Sequence, residues 1–374
     1  MKWMVWLICL LWPLGALAED LQTGAQELIA ALDLEAVARA ADGTGWFSES
    51  VPEVLRRLAG GQAVMSAQDV WERLCREAAG VFSKSLWRMT RLMAPALLAA
   101  SGDWLREGGQ GAKAARYAAL MMTMALLVVD LREHVLLTTE TVGKMADCMQ
   151  ALFPILVTLL AAVGGTASSA FYQPAVMAAA GAMTTLIQQV TMPLAVSVAV
   201  LTMVGALSDG LRVGRLCRLL RQAANWTLGL GFTVFIGVMT VQGVSVTAVD
   251  GVSIRTAKYA MDHFIPIVGG MFSDTVDTLV GCSLVVHNAV GVLGLLILLG
   301  TLIAPMLRVA LTQFLYRAVS AVLEPVSDSP LCRAIGQYAD VFSLLFIIEL
   351  SVGAMFLVLV AQVMMVGNWT VMLR

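Results

Sequence analysis

The sequence predicts an all-α polytopic membrane protein, with roughly six to eight transmembrane helices and a small helical extracytoplasmic region at its amino terminus. Three observations carry this prediction. Of the 374 residues, 59% are hydrophobic and only 13% charged, against about 25% charged in soluble domains, and the mean hydropathy is +0.81. The charge is unevenly placed, with a surplus of acid before residue 82. Three nearly uncharged runs of 24 to 26 residues, Trp226 to Val249, Leu279 to Ala304 and Val341 to Val366, each exceed the roughly 20 residues that cross a bilayer. A net charge of -2 and a pI near 6.0 provide no basic field for nucleic acid. The expected partner surface is the lipid bilayer.

The chain opens with MKWMVWLICLLWPLGALAED. Lys2 starts it, Trp3 to Leu17 form an apolar core, and Ala16-Leu17-Ala18 offers a small-x-small cleavage site, so residues 1–18 are expected to be a signal peptide. The alternative, an uncleaved first span, has an apolar run shorter than a crossing needs. Residues 19–111 form the expected acidic helical region. Up to residue 82 it carries 11 acidic residues against five arginines. Ser50 with Glu53, and Ser66 with Asp69, each read as a cap with an acid three residues on, and Gly60-Gly61 separates the two helices they open.

The membrane domain is expected over 112–374. Besides the three long runs, shorter apolar segments lie at Leu86–Ala100, broken by Arg88 and Arg91, and at Tyr117–Val129, Ala151–Gly165, Ala175–Leu186 and Met192–Leu207. Counted separately, they give five crossings before residue 208. Arg212, Arg215, Arg218 and Arg221 make residues 208–222 the strongest basic loop, expected in the cytoplasm. The segment Asp130 to Asp147 has a net charge of -2 and is expected to be an outside loop.

No motif carries enzyme chemistry. Gly164-Gly165-Thr166 lacks the lysine of a phosphate loop, and the three histidines, His134, His263 and His287, are too far apart for a helical metal pair. The cysteines are scattered without a Cys-x-x-Cys pair, so neither a zinc site nor a disulfide framework is expected. No cofactor, metal or catalytic residue is assigned. Polar groups within spans carry more information, because an ionisable side chain at the bilayer centre is costly. Glu349 stands in the last run, and His287-Asn288 in the run from Leu279. They are expected either to line an aqueous or proton path, as in a proton-coupled permease using Glu349 and His287, or to hydrogen-bond to one another across helices. Small residues at four-residue spacing, among them Ala178 and Ala182, allow close helix approach, most commonly within one subunit and alternatively in a homo-oligomer.

The stretch DGVSIRTAKYAMDHFIPIVGGMFSDTVDTL, residues 250–279, is expected to begin with Asp250 as a helix cap and to break at a hinge of Pro266, Gly269 and Gly270. It should restart at Ser273, with Asp274 and Asp277 in the first turn, where carboxylates suit the helix dipole. This stretch, with LFPILVTLLAAVGGTASSAFYQPAV, GFTVFIGVMTVQG and LEPVSDSPL, resembles the stage III sporulation protein AE family of endospore-forming bacteria over roughly residues 140–366. The resemblance implies a non-enzymatic, multi-pass protein of the mother-cell membrane around the forespore. It would act with the other stage III sporulation A proteins and forespore protein Q in a channel or secretion-like complex that supports late forespore sigma factor activity. It implies no site residues.

Overall fold

The computed structural model describes residues 23–47, 49–104, 110–207, 213–264, 269–325 and 330–372. The expected signal peptide, Pro266 and Arg212 lie outside the described residues. All the regular structure described is helical: α1 (23–31), α2 (Glu35–Asp42), α3 (Val51–Ala59), α4 (Ala67–Trp104), α5 (Gln110–Ala162), α6 (Thr166–Leu186), α7 (Met192–Leu207), α8 (Gly214–Phe264), α9 (Gly269–Leu323) and α10 (Pro330–Met372). The π-helical turn Ile187–Thr191 joins α6 to α7.

Five helices among the described residues are long and apolar enough to cross a membrane: Tyr117–Ala162, Ser168–Leu207, Gly214–Gln242, Asp277–Leu323 and Arg333–Met372. They are fewer than the eight apolar segments because two pairs of segments fuse and Leu86–Ala100, within α4, is not among these spans. The expected loop 130–147 is helical and joins two of the short segments in α5. Segments 175–186 and 192–207 join through the π turn. Pro193 lacks an N–H for the Gln189 carbonyl, and its ring would clash there, which explains a widened turn just before it. Arg215, Arg218 and Arg221 sit in the first turns of α8, not in a loop. Asp250 and Ser273 are likewise helix-interior positions of α8 and α9, not caps. Gly269 and Gly270 open α9, with Asp274 and Asp277 following in its helical backbone.

Local chemistry sets the breaks. After α5, Gly164 has φ +105°; its N–H bonds the Ala161 carbonyl at 3.0 Å, and the Gly165 N–H bonds the Leu160 carbonyl at 2.9 Å, the paired closure that suits glycine at a helix end. Gly61, at φ +71°, ends α3 in the same way, with Gln62 N–H on the Arg57 carbonyl at 2.9 Å. The Asp69 carboxylate accepts the Ser66 N–H at 2.9 Å, so the box expected at α4 forms. Ser50 makes no side-chain cap bond.

Packing fixes a long register. α5 and α9 run antiparallel: Asp130 meets Tyr316, His134 meets Thr312, and Leu152 packs on Gly294. α9 and α10 form a second antiparallel pair, with Gly336 on Ser320, Gly353 on Leu302, and Gly291 on Met364. Glycines at these crossings let the backbones approach, as membrane helices require. The amino-terminal helices do not stand apart. Gly24 rests on Cys282, and Gly300 on Thr44 and Trp46, so α1–α3 lie along the first half of α9.

Candidate functional site: a buried polar seam

Between α5, α9 and α10 runs a ladder of polar pairs at one-turn spacing. The Tyr316 hydroxyl donates to Asp130 Oδ2 at 2.7 Å. One turn on, His134 Nδ1 lies 2.8 Å from the Asp130 carbonyl, where it can only donate. Nε2 lies 3.0 Å from the Thr312 hydroxyl oxygen, and that hydroxyl donates to the Arg308 carbonyl at 2.9 Å. A further turn on, Thr138 donates to Glu349 Oε1 at 2.7 Å. Phe342 of α10 closes the seam, edge-on to His134 and tilted against Tyr316, each at 5.0 Å.

The seam is sealed in the core. His134, Thr138, Thr312, Tyr316 and Glu349 are all buried. Among the described residues Glu349 Oε2 and the Tyr338 hydroxyl have no hydrogen-bond partner, an arrangement that costs stability unless something else satisfies them.

Beside the seam lies a cavity of about 620 Å³ between α2, α5 and α9. Arg39, Lys144 and Arg308 bring positive charge to its wall, and Glu140 and Asp147 negative charge. Lys144 pairs with Glu140 at 2.7 Å. Pro305 also lines the cavity; inside a helix it leaves the carbonyl four residues back, that of Thr301, without its usual donor. Arg308 stands on the cavity wall within electrostatic reach of Glu349.

The intramembrane residues expected to act together do not meet. Glu349 pairs with Thr138, whereas His287 packs against Gly367, 18 residues further along α10 and so about 27 Å away at 1.5 Å per residue. Asn288 donates to Asn368 Oδ1 at 3.0 Å. The His287 ring nitrogens are buried without a well-formed bond, next to the Asn288 side chain. Arg221, expected to be a cytoplasmic anchor, pairs with Asp340 of α10 at 2.7 Å, and Arg317 approaches the same carboxylate at 3.5 Å. Asp277 is exposed at the start of the apolar part of α9.

Asp130, His134, Thr138, Arg308, Thr312 and Tyr316 were not singled out from the sequence. A signal was present: 130, 134 and 138, and 308, 312 and 316, each recur at four-residue spacing, one face of a helix. Reading 130–147 as a loop concealed it.

The family model described as Stage III sporulation protein AE matches residues 50–367, starting within the acidic region. Stage III sporulation protein AE of Bacillus subtilis (strain 168) is 32% identical over 273 residues, covering 72% of this chain and 68% of that protein. No solved structure matches.

Proposed function

Since the chain belongs to the stage III sporulation protein AE family, and is therefore a sporulation protein built of membrane-spanning helices, we propose that it is a non-enzymatic membrane component of a channel or secretion-like complex linking mother cell and forespore. In this reading it lies in the mother-cell membrane around the forespore. It works there with the other stage III sporulation A proteins and forespore protein Q, and its loss lowers late forespore sigma factor activity.

The observation that supports a conduit role is the charged cavity beside the seam. Lys144 and Asp147 line it, and on α5 they fall between Thr138, level with Arg308, and Leu152, level with Gly294. That places charged side chains alongside the apolar run Leu279 to Ala304. Polar recesses at such a level are the usual mark of a path for water or a polar cargo. A self-contained permease using Glu349 and His287 together is disfavoured by their separation along the bundle.

The test is complementation in a spore-forming bacterium. Charge removal at the cavity wall, Arg308→Ala with Lys144→Ala, is expected to lower spore yield and late forespore sigma factor activity while the protein still co-purifies with its stage III partners. Transport by the isolated chain in liposomes would overturn the assignment, as would full sporulation without it. Topology is read by thiol labelling of single cysteines on a cysteine-free background. A cysteine replacing Arg215 should label only from the cytoplasm, and one replacing Asp277 only from the other side.

A further inference from the structure

The amino-terminal helices carry a charged face at the depth of the bilayer. Gly24 rests on Cys282, and Thr44 with Trp46 on Gly300, both within the apolar run Leu279 to Ala304. From Trp46 the chain returns along α3, whose Arg56 and Gly60 border one recess with Val285. The first turns of α4 then pass Trp46: Arg73 donates to its carbonyl at 2.8 Å, and Glu72 and Arg76 share a recess with it. So α3 and α4 are layered on α9, and α2 on α5. That level is the middle of the bundle. On α10 it corresponds to Gly353 and Met364, which pack on Leu302 and Gly291, within the apolar run Val341 to Val366. On α6 it corresponds to Ala180 and Gly181, which border a groove with Phe356 and Leu359 of α10. At this one depth the surface has two characters. α10 exposes Leu350, Ala361 and Met365, as contact with lipid acyl chains requires. By contrast, α2 exposes Arg39 and Asp42, α3 exposes Glu53 and Arg56, and α4 exposes Glu72 and Arg76.

We propose that the outer face of α2–α4 is the wall of a water-filled lumen at membrane depth, closed on its other sides by further subunits. Lipid is excluded by the charges themselves, which are costly in hydrocarbon and at such depth face a water-filled cavity or the bundle interior. The state of the charges then selects water over a protein cover. Glu53 with Arg56 at 3.3 Å, and Glu72 with Arg76 at 3.2 Å, pair within their own helices while these side chains remain 47–71% exposed. A dry protein cover would strip water from both members of each pair, at a cost their mutual attraction does not return. The cavity lined by Arg39, Lys144 and Arg308 adjoins this wall, because Arg39 belongs to both. The inference rests on the conduit reading and locates its path: along the α2–α4 flank, between subunits, and not through the sealed seam.

The experiment uses the full chain, cysteine-free apart from one introduced thiol, in membranes of sporulating cells that hold the assembled complex. The probe is a charged, water-soluble methanethiosulfonate. Thiols react as thiolates, which form in water and not in lipid, so Asp42→Cys and Glu72→Cys are expected to react roughly tenfold or more faster than Leu350→Cys and Met365→Cys at the same depth. Lipid spin-labelled at the bilayer centre should quench a fluorophore on 350 or 365 and leave one on 42 or 72 bright. Equal reaction at all four positions overturns the proposal, because the level then lies clear of the bilayer or is covered throughout. Slow reaction at 42 and 72 alone also overturns it and assigns the flank to a bound protein, and lipid quenching there assigns it to the bilayer. Spore yield reads the conduit role separately. Slow labelling at 42 and 72, in cells whose spore yield still depends on Arg308 and Lys144, would sink the lumen and leave the conduit standing.

Discussion

The Thr138–Glu349 bond offers the sharpest test of the seam. Valine nearly matches threonine in shape but lacks the hydroxyl, so Thr138→Val removes the 2.7 Å donor to Oε1 with little change in packing. Glu349 Oε2 is already without a partner, and the residue is fully buried. The substitution therefore leaves both carboxyl oxygens unsatisfied. A buried polar group deprived of its partner costs about 1–3 kcal/mol. Hydrogen bonds between membrane helices have averaged nearer ~0.6 kcal/mol, with a maximum of ~1.7. A loss of about 1–2 kcal/mol spans both scales. At about 2–4 °C per kcal/mol for domains of 150–250 residues, and somewhat less in a longer chain, Tm should fall by about 2–4 °C in a thiol-dye melt in detergent. Glu349→Leu removes the acceptor and fills similar volume. Combining it with Thr138→Val should recover most of the loss, because neither polar group then remains to be satisfied. Two results would refute the reasoning: a Thr138→Val melt identical to the parent, or a double variant less stable than Thr138→Val alone.

Other consequences follow from the same packing. Gly164 holds φ +105°, so Gly164→Ala should cost about 1–3 kcal/mol, whereas Gly143→Ala, within α5 and with nothing near its Cβ, should be neutral or stabilising by about 0.5–1 kcal/mol; paired detergent melts separate the two. A Cβ at Gly367 would reach the rigid His287 ring at 2.7 Å, and one at Gly353 would collide with Leu302. Either alanine substitution should therefore destabilise by about 1–3 kcal/mol, while Gly291→Ala should cost less because flexible Met364 can move aside. Asp340→Asn removes the partner of both Arg221 and Arg317. Since the Asp340 side chain is 29% exposed, the expected loss is modest, about 0.5–1 kcal/mol, and it should shrink when the melt is repeated at high salt.

By itself the sequence determined the helical membrane class, because apolar runs longer than a bilayer crossing leave few other folds able to satisfy the backbone. It also determined local punctuation, such as the closure at Gly61 and the box at Ser66 with Asp69, since caps depend on residues a few positions apart. The polar character of Glu349 and of His287-Asn288 was legible for the same reason: each stands alone in its apolar run. Their partners were not. Whether 130–147 is a loop between two crossings or the middle of one long helix depends on what packs beside it. Hydropathy along a chain records how polar a residue is, not which neighbouring helix satisfies it. Only the antiparallel register of α5, α9 and α10 brings Asp130 to Tyr316, His134 to Thr312 and Thr138 to Glu349, and separates Glu349 from His287. These pairs span 178 to 211 positions of sequence, and such distant side chains meet only when whole helices are set against each other.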